Sequence, residues 1–293
     1  MIIPSRLIAI GPSALELVVA LDLGSCVIGN AGPADARGDP AQSCPLAPFV
    51  PGHPTGPGDN EWAEYFRSMH TDAVLADVNC ATCLDGGPHK VWPGPPVAIA
   101  IGRPTIVDCL DLLNIIGEAF GVQERSLTVF KQRSARLLAL RMHVARYLVR
   151  MPGTAQPTTL ALIHDADAWR VCDDRRTDEL INAAGGVSAP LPKGSTVSLS
   201  DISDARANVI LAGSVSAGTD DLAIARNVDA LGELSPAVWH ADWNALVRSS
   251  GPSIVDAVES TLRAVFPICL GANGTPPDPA IYRRVAARRP IVN

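Results

Sequence analysis

A chain of 293 residues with 47% hydrophobic and 18% charged side chains is long enough for two ordinary domains and buries a core without disulfide or metal support. That apolar content excludes a disordered chain, and the lack of a run of about 18 uncharged apolar residues excludes a transmembrane helix. The formal charge of −6 argues against nucleic acid as the main partner.

Met1-Ile2-Ile3-Pro4-Ser5-Arg6 leads directly into the first apolar segment, with no basic stretch, apolar core and cleavage site ahead of it. The expected compartment is therefore the cytoplasm, or an extracytoplasmic space if a targeting segment has been removed. Leu7 to Ile10 reads as a strand. Gly11-Pro12-Ser13 breaks it, and Ser13 with Glu16 has the spacing of a capping box for a helix from Ala14 to about Leu21. Asp22-Leu23-Gly24 is expected to end that helix, with Gly24 as the C′ residue. Cys26 to Gly29 is the next strand, so the order is strand, helix, strand, which implies a crossover and a parallel sheet. Residues 31–60 are rich in Gly, Pro and Asp and form one long loop. A helical pattern over Glu61 to His70 precedes a strand at Ala73 to Ala76, the Cys80-Ala-Thr-Cys83 pair, and a strand at Val97 to Ile101.

Thr105 to Phe120 has a wide apolar face and stops at Gly121. Glu124 to about Val149 then runs without Gly or Pro, about 39 Å of helix at 1.5 Å per residue. Residues 105–156 carry 7 basic and 4 acidic side chains, against 5 and 10 for residues 1–104 and 12 and 16 for residues 157–293. A second α/β pattern follows. It has strands at Thr159 to Ile163, Asn208 to Ala212 and Ala237 to Trp239, with helices at Arg176 to Ala184, Ile202 to Ala205, Asp220 to Leu231 and Pro252 to Phe266. Residues 270–293 read as a loosely packed, arginine-bearing tail. The division expected is an N-terminal α/β lobe over 1–121, a connecting helix over 122–152, a C-terminal α/β lobe over 153–269 and the tail.

Five stretches in order then carry a resemblance. They are Arg6-Leu-Ile-Ala-Ile-Gly-Pro-Ser-Ala-Leu-Glu16 with Ala20 to Gly29, and Thr71-Asp-Ala-Val-Leu75 through Cys83. Asp178 to Gly186, Asn208 to Ala212, and Val238 to Asp242 with Gly251-Pro-Ser253 complete the set. Together they resemble the vitamin B12/iron-chelate periplasmic-binding-protein-like family, and within it the signal-less cobalamin-binding branch. The resemblance spans about residues 6–267. It implies an α/β fold of two Rossmann-like lobes with parallel sheets joined by one long helix, the class III substrate-binding-protein fold, with ligand in the cleft between the lobes. It also implies a monomeric, non-catalytic protein with no catalytic cofactor and no membrane insertion. The ligand would be cobalamin, a similar corrinoid or a related small-molecule metal chelate, and the partner an ABC importer. Strand-end placement of the ligand agrees with the general rule for open α/β sheets.

The candidate ligand-binding residues are those following the strands: Pro12, Ser13, Asn30, Asn79, Cys80 and Cys83 in the first lobe. In the second they are Asp165, Trp169, Gly213, Ser214, His240, Asp242, Trp243 and Asn244. A broad apolar macrocycle edged by amides needs flat aromatic rings and hydrogen-bonding side chains. Asp242-Trp243 stands out, because an exposed Trp in a post-strand loop has little packing reason to be there. His164 and His240 could ligate cobalt or iron axially. Two other readings stay open. One is a metal or thiol-redox protein using Cys80 and Cys83, although a single CxxC is weak for structural zinc. The other is a family member that has lost its ligand and serves as an interaction module. No dinucleotide, P-loop, nucleophile-elbow or HExxH motif points to an enzyme.

Overall fold

The computed structural model describes residues 3–31, 68–77, 97–101, 105–151, 153–165, 168–214, 228, 231–235, 237–243, 246, 251–270, 276–279 and 281–284. The expected helices over 61–70 and 220–231 and the loop over 31–60 lie wholly or largely outside them. The chain divides into two compact units, Met1–Ser134 with Arg248–Ser253, and Ala135–Val247 with Ile254–Asn293.

The first unit is built on a four-stranded sheet of β1 (Leu7–Ile10), β2 (Val27–Ala31), β3 (Ala73–Asp77) and β4 (Val97–Ile101). Its order is β2-β1-β3-β4 and every pairing is parallel. Leu7, Ile8, Val74 and Leu75 are buried, as apolar strands need when a sheet is covered on both faces. Helix α1 (Pro12–Ala20) follows β1 directly. Its N-cap is Gly11 at φ 92°, and no side chain caps it. The expected Ser13–Glu16 capping box is thus corrected. Pro12, with preset φ and no N–H, starts the helix two residues earlier than a Ser13 cap allows. Ser13 is buried inside the first turn. The carboxylate of Glu16 instead accepts the backbone N–H of Ser253, which ties Ser253 to α1. The helix ends where expected, at Ala20 with Leu21 as its C-cap, but the left-handed residue after it is Asp22 (φ 60°), not Gly24. Asp22 N–H donates to Val19 O and Leu23 N–H to Val18 O, the paired bonds of a Schellman motif.

Thr105 caps α2 (Ile106–Ala119) through a reciprocal capping box with Asp108. After Gly121, α3 (Gln123–Arg150) runs unbroken for 28 residues. Ser126 of α3 donates its hydroxyl to Leu113 O of α2 at 2.7 Å.

In the second unit, β5 (Thr158–Asp165), β9 (Val209–Gly213) and β10 (Ala237–Ala241) pair in parallel. The short β7 (Val187–Ser188) joins β5 in parallel as well. The sheet is not parallel throughout, however. β6 (Ala168–Val171) folds back antiparallel on β5, β8 (Thr196–Val197) pairs antiparallel with β6, and β11 (Tyr282–Arg284) closes the other edge antiparallel to β10. Helix α4 (Arg175–Ala183) packs against α6 (Ile254–Val265), and α5 (Leu199–Asp204) lies beside β8. Leu160, Leu162, Trp169, Val171, Ile202, Ile210 and Val238 form one buried apolar cluster. Glu259 of α6 pairs with both Arg136 of α3 and Arg263. Burial raises the proton affinity of its carboxyl, but hydrogen bonds from Arg263 and then Arg136 outweigh that and hold it below the ordinary value.

The tail departs from expectation. Tyr282 is buried, and its hydroxyl lies 2.9 Å from Thr261 Oγ1. Asp278 N–H donates to Ser260 Oγ. Three residues of β-pairing and one aromatic anchor therefore draw part of the Pro/Gly-rich end into the second unit.

Candidate functional site

Because β5, β9 and β10 run parallel, their carboxyl ends lie along one edge of the second sheet. Register places Ile163 beside Gly213 and Ala212 beside His240. Asp165, Ser214 and Asp242 therefore stand at or just past the strand ends. β5 is longer than its apolar run suggests, so His164 and Asp165 are strand residues rather than loop residues. The same holds for His240 in β10 and, in the first sheet, for Asn30, which lies opposite Ala9 within β2.

The tryptophans do not project from this edge. Trp243 is 1% exposed and donates its indole N–H to Leu162 O at 2.9 Å. The expectation of an exposed Trp243 is corrected: a bulky ring with one polar edge folds over the strand ends, satisfies that edge on a carbonyl, and fills the core. Gly213 belongs to the same arrangement. A Cβ there would overlap Ala241 O and come within 3.0 Å of Trp243 Cδ1. Glycine at 213 is thus required by how closely β10 and the ring approach. Trp169 is buried on β6 opposite His164, whose ring meets it edge-on with centroids 4.8 Å apart.

What reaches solvent along this edge is polar. Ser214 and His240 are half-buried, and Asp242 is exposed. Asp242 N–H donates to Ile281 O, and its own carbonyl accepts from Leu246 N–H, so this residue both ends β10 and opens a helical turn. Arg283 lies in register with His240 across the β10–β11 pair. Arg284 places its guanidinium 5.8 Å from the centre of the Trp239 ring. Neither arginine was among the candidate ligand-binding residues; the sequence reads both as part of a solvated tail, whereas they pair with β10. Three residues, Tyr282-Arg283-Arg284, are too few to have marked this strand in the sequence.

In the first unit, Pro12 and Ser13 sit at the carboxyl end of β1, where α1 begins. The Ser13 side chain is closed off from solvent. Asn79, Cys80, Cys83 and Asn244 lie outside the described residues. Among the described residues, no three His, Cys, Asp or Glu side chains come together as metal ligands, and no helix is long and apolar enough to cross a membrane.

Comparison with known proteins gives the fold its relatives. No family model and no curated protein matches the sequence. Solved structures do match. A periplasmic heme-binding protein from Pseudomonas aeruginosa is 18% identical, with a TM-score of 0.67 over 98% of this chain and 99% of that one. A periplasmic heme-binding protein from Roseiflexus sp. RS-1 is 19% identical, with a TM-score of 0.62 over 90% of this chain and 99% of that one. An ABC transporter substrate-binding protein from Listeria monocytogenes EGD-e is 15% identical, with a TM-score of 0.64 over the same shares. The chain has the fold of these binding proteins: two α/β units and a long helix, the class III substrate-binding architecture. The cytoplasmic expectation is corrected by the same finding, since these structural relatives are periplasmic or solute-binding proteins.

Proposed function

We propose that this chain is a non-catalytic carrier of a metal chelate, held at strand carboxyl ends outside the cytoplasm for delivery to an ABC-type importer. The observation that carries the reading is a fold shared along nearly the whole chain with two proteins named as heme-binding and one named as a transporter's substrate-binding protein. A flat metal macrocycle, haem or a corrinoid, is the ligand class proposed. Ser214, His240 and Asp242 are its proposed contacts in the second unit, joined by Asp165. Asn30 is proposed from the first unit, and Asn79, Cys80, Cys83 and Asn244 complete the set. An imidazole such as that of His240 suits iron or cobalt as an axial ligand. A serine hydroxyl and a carboxylate suit the amide or propionate rim of the macrocycle.

A thermal-shift panel of haemin, cyanocobalamin and a ferric hydroxamate tests this. Binding to the folded state alone stabilises by about 2.7 kcal/mol at a ligand concentration of about 100 Kd, a rise of several degrees for a protein of this size. Haemin or cyanocobalamin is expected to produce that rise, and His240→Ala to diminish it. A rise with the hydroxamate alone moves the ligand to the siderophores. No rise with any of the three removes the proposal.

A further inference from the structure

The second-unit half of α3, residues 135–150, displays a pattern unrelated to the strand-end site. Leu137, Leu140 and Val144 are buried and anchor one face of the helix. On the opposite face Leu138, Met142 and Val149 are exposed, Leu138 at 59% and Val149 at 80%. Their spacing of four and then seven residues sets them in a single stripe along the helix. Arg141 flanks the stripe on one side, with Arg146 and Arg150 on the other, and all three are exposed. Among the described residues none of these three forms an ion pair, whereas Arg136, farther round the helix, is held by Glu259. No acidic residue occurs from Arg125 to His164 in a chain whose net charge is −6.

We infer that this face of α3 docks on an anionic lipid surface. The stripe presents three large apolar side chains to solvent, and its edges are guanidiniums on long apolar stems. An interface of phosphate headgroups over acyl chains meets both at once, as the stems lie along the apolar layer while the charges reach the phosphates. A second copy of this chain applied to the same face would set arginine against arginine, so charge complementarity selects an anionic occupant.

The test is co-sedimentation of the full chain with vesicles of equimolar phosphatidylcholine and phosphatidylglycerol, against pure phosphatidylcholine. Binding is expected to the mixed vesicles only and to weaken with salt. Arg146→Gln with Arg150→Gln is expected to lower partitioning about fivefold per charge removed. Leu138→Gln with Val149→Gln is expected to lower it about tenfold. Arg175→Gln, an exposed arginine on α4, leaves it unchanged. All five positions are on the surface, and circular dichroism and melting temperature verify that each variant folds. Absence of binding to the mixed vesicles overturns the inference, as does binding that both double variants retain.

Discussion

The two sheets finish their strands in different ways. In the first unit all four strands are parallel, and β1 passes straight into a helix whose N-terminus no side chain caps. In the second unit the parallel strands are bordered by antiparallel ones, and the protein's own rings cover their ends. Trp243 reaches across to Leu162, and His164 packs on Trp169. The same topological position therefore carries different chemistry. Where aromatic rings fill the strand ends, the polar side chains that reach solvent past them are, among the described residues, Ser214, His240 and Asp242.

The sharpest way to break this contrast is to remove the ring. Trp243→Ala deletes a fully buried side chain and is expected to cost about 3–5 kcal/mol in chemical denaturation, while Trp243→Phe, which leaves the Leu162 carbonyl without its donor, costs about 1–3 kcal/mol. If Trp243→Ala were tolerated within about 1 kcal/mol, the ring would not be closing over the strand ends. Gly213→Ala forces the added methyl against the Ala241 carbonyl and is expected to cost about 1–3 kcal/mol in the same assay. Tyr282→Phe removes one buried hydrogen bond, with an expected loss of about 1 kcal/mol. A neutral result there would show that β11 is held by pairing and ring burial alone.

Acid offers a smaller test that treats the units alike. In the first unit, hydrogen bonds from the Ser5 hydroxyl and then the Ser5 N–H, with a further one from Arg6 N–H, hold Asp72 below its ordinary pKa. In the second, Glu259 is held low by its two arginines. A carboxyl depressed in the folded state adds stability that is complete above its unfolded value and disappears as pH falls through the folded one. Asp72→Asn and Glu259→Gln are each expected to cost at most about 1 kcal/mol at pH 7, since their surroundings are partly solvated. Urea titrations from pH 7 to the acid limit should show each variant converging on wild type. The smallest effect concerns Cys269, whose thiol burial pushes up to about 11. Its alkylation by iodoacetamide at pH 8 is expected to lag behind that of a free thiol and to accelerate as pH approaches that value.

Much of the fold was legible because local signals marked the element ends. Thr105 with Asp108 opens α2, Gly121 and Gly185 sit just past helix ends, and the Val97–Ile101 strand reads directly as a short apolar run. The site was less legible. Whether a post-strand Trp faces water or core depends on a carbonyl 81 positions away, and periodicity carries no information about that distance. β11 is three residues in a Pro/Gly-rich stretch, too short for alternation to register. Ser13 lost the capping role because Gly11 and Pro12 together define an earlier start, a competition that the Ser–Glu spacing alone does not reveal.

The hydrogen bond from Ser253 to Glu16 spans most of the chain, and that matters for biosynthesis. A ribosome releases α1 early, but the residues that settle against it emerge only after β5 through β10 have been made. The amino-terminal unit therefore waits, its last piece unmade, while nearly the whole of its neighbour is translated. Early termination anywhere between those two points would leave both units incomplete, and a fragment ending at Ser134 would lack the segment that seals its own first helix.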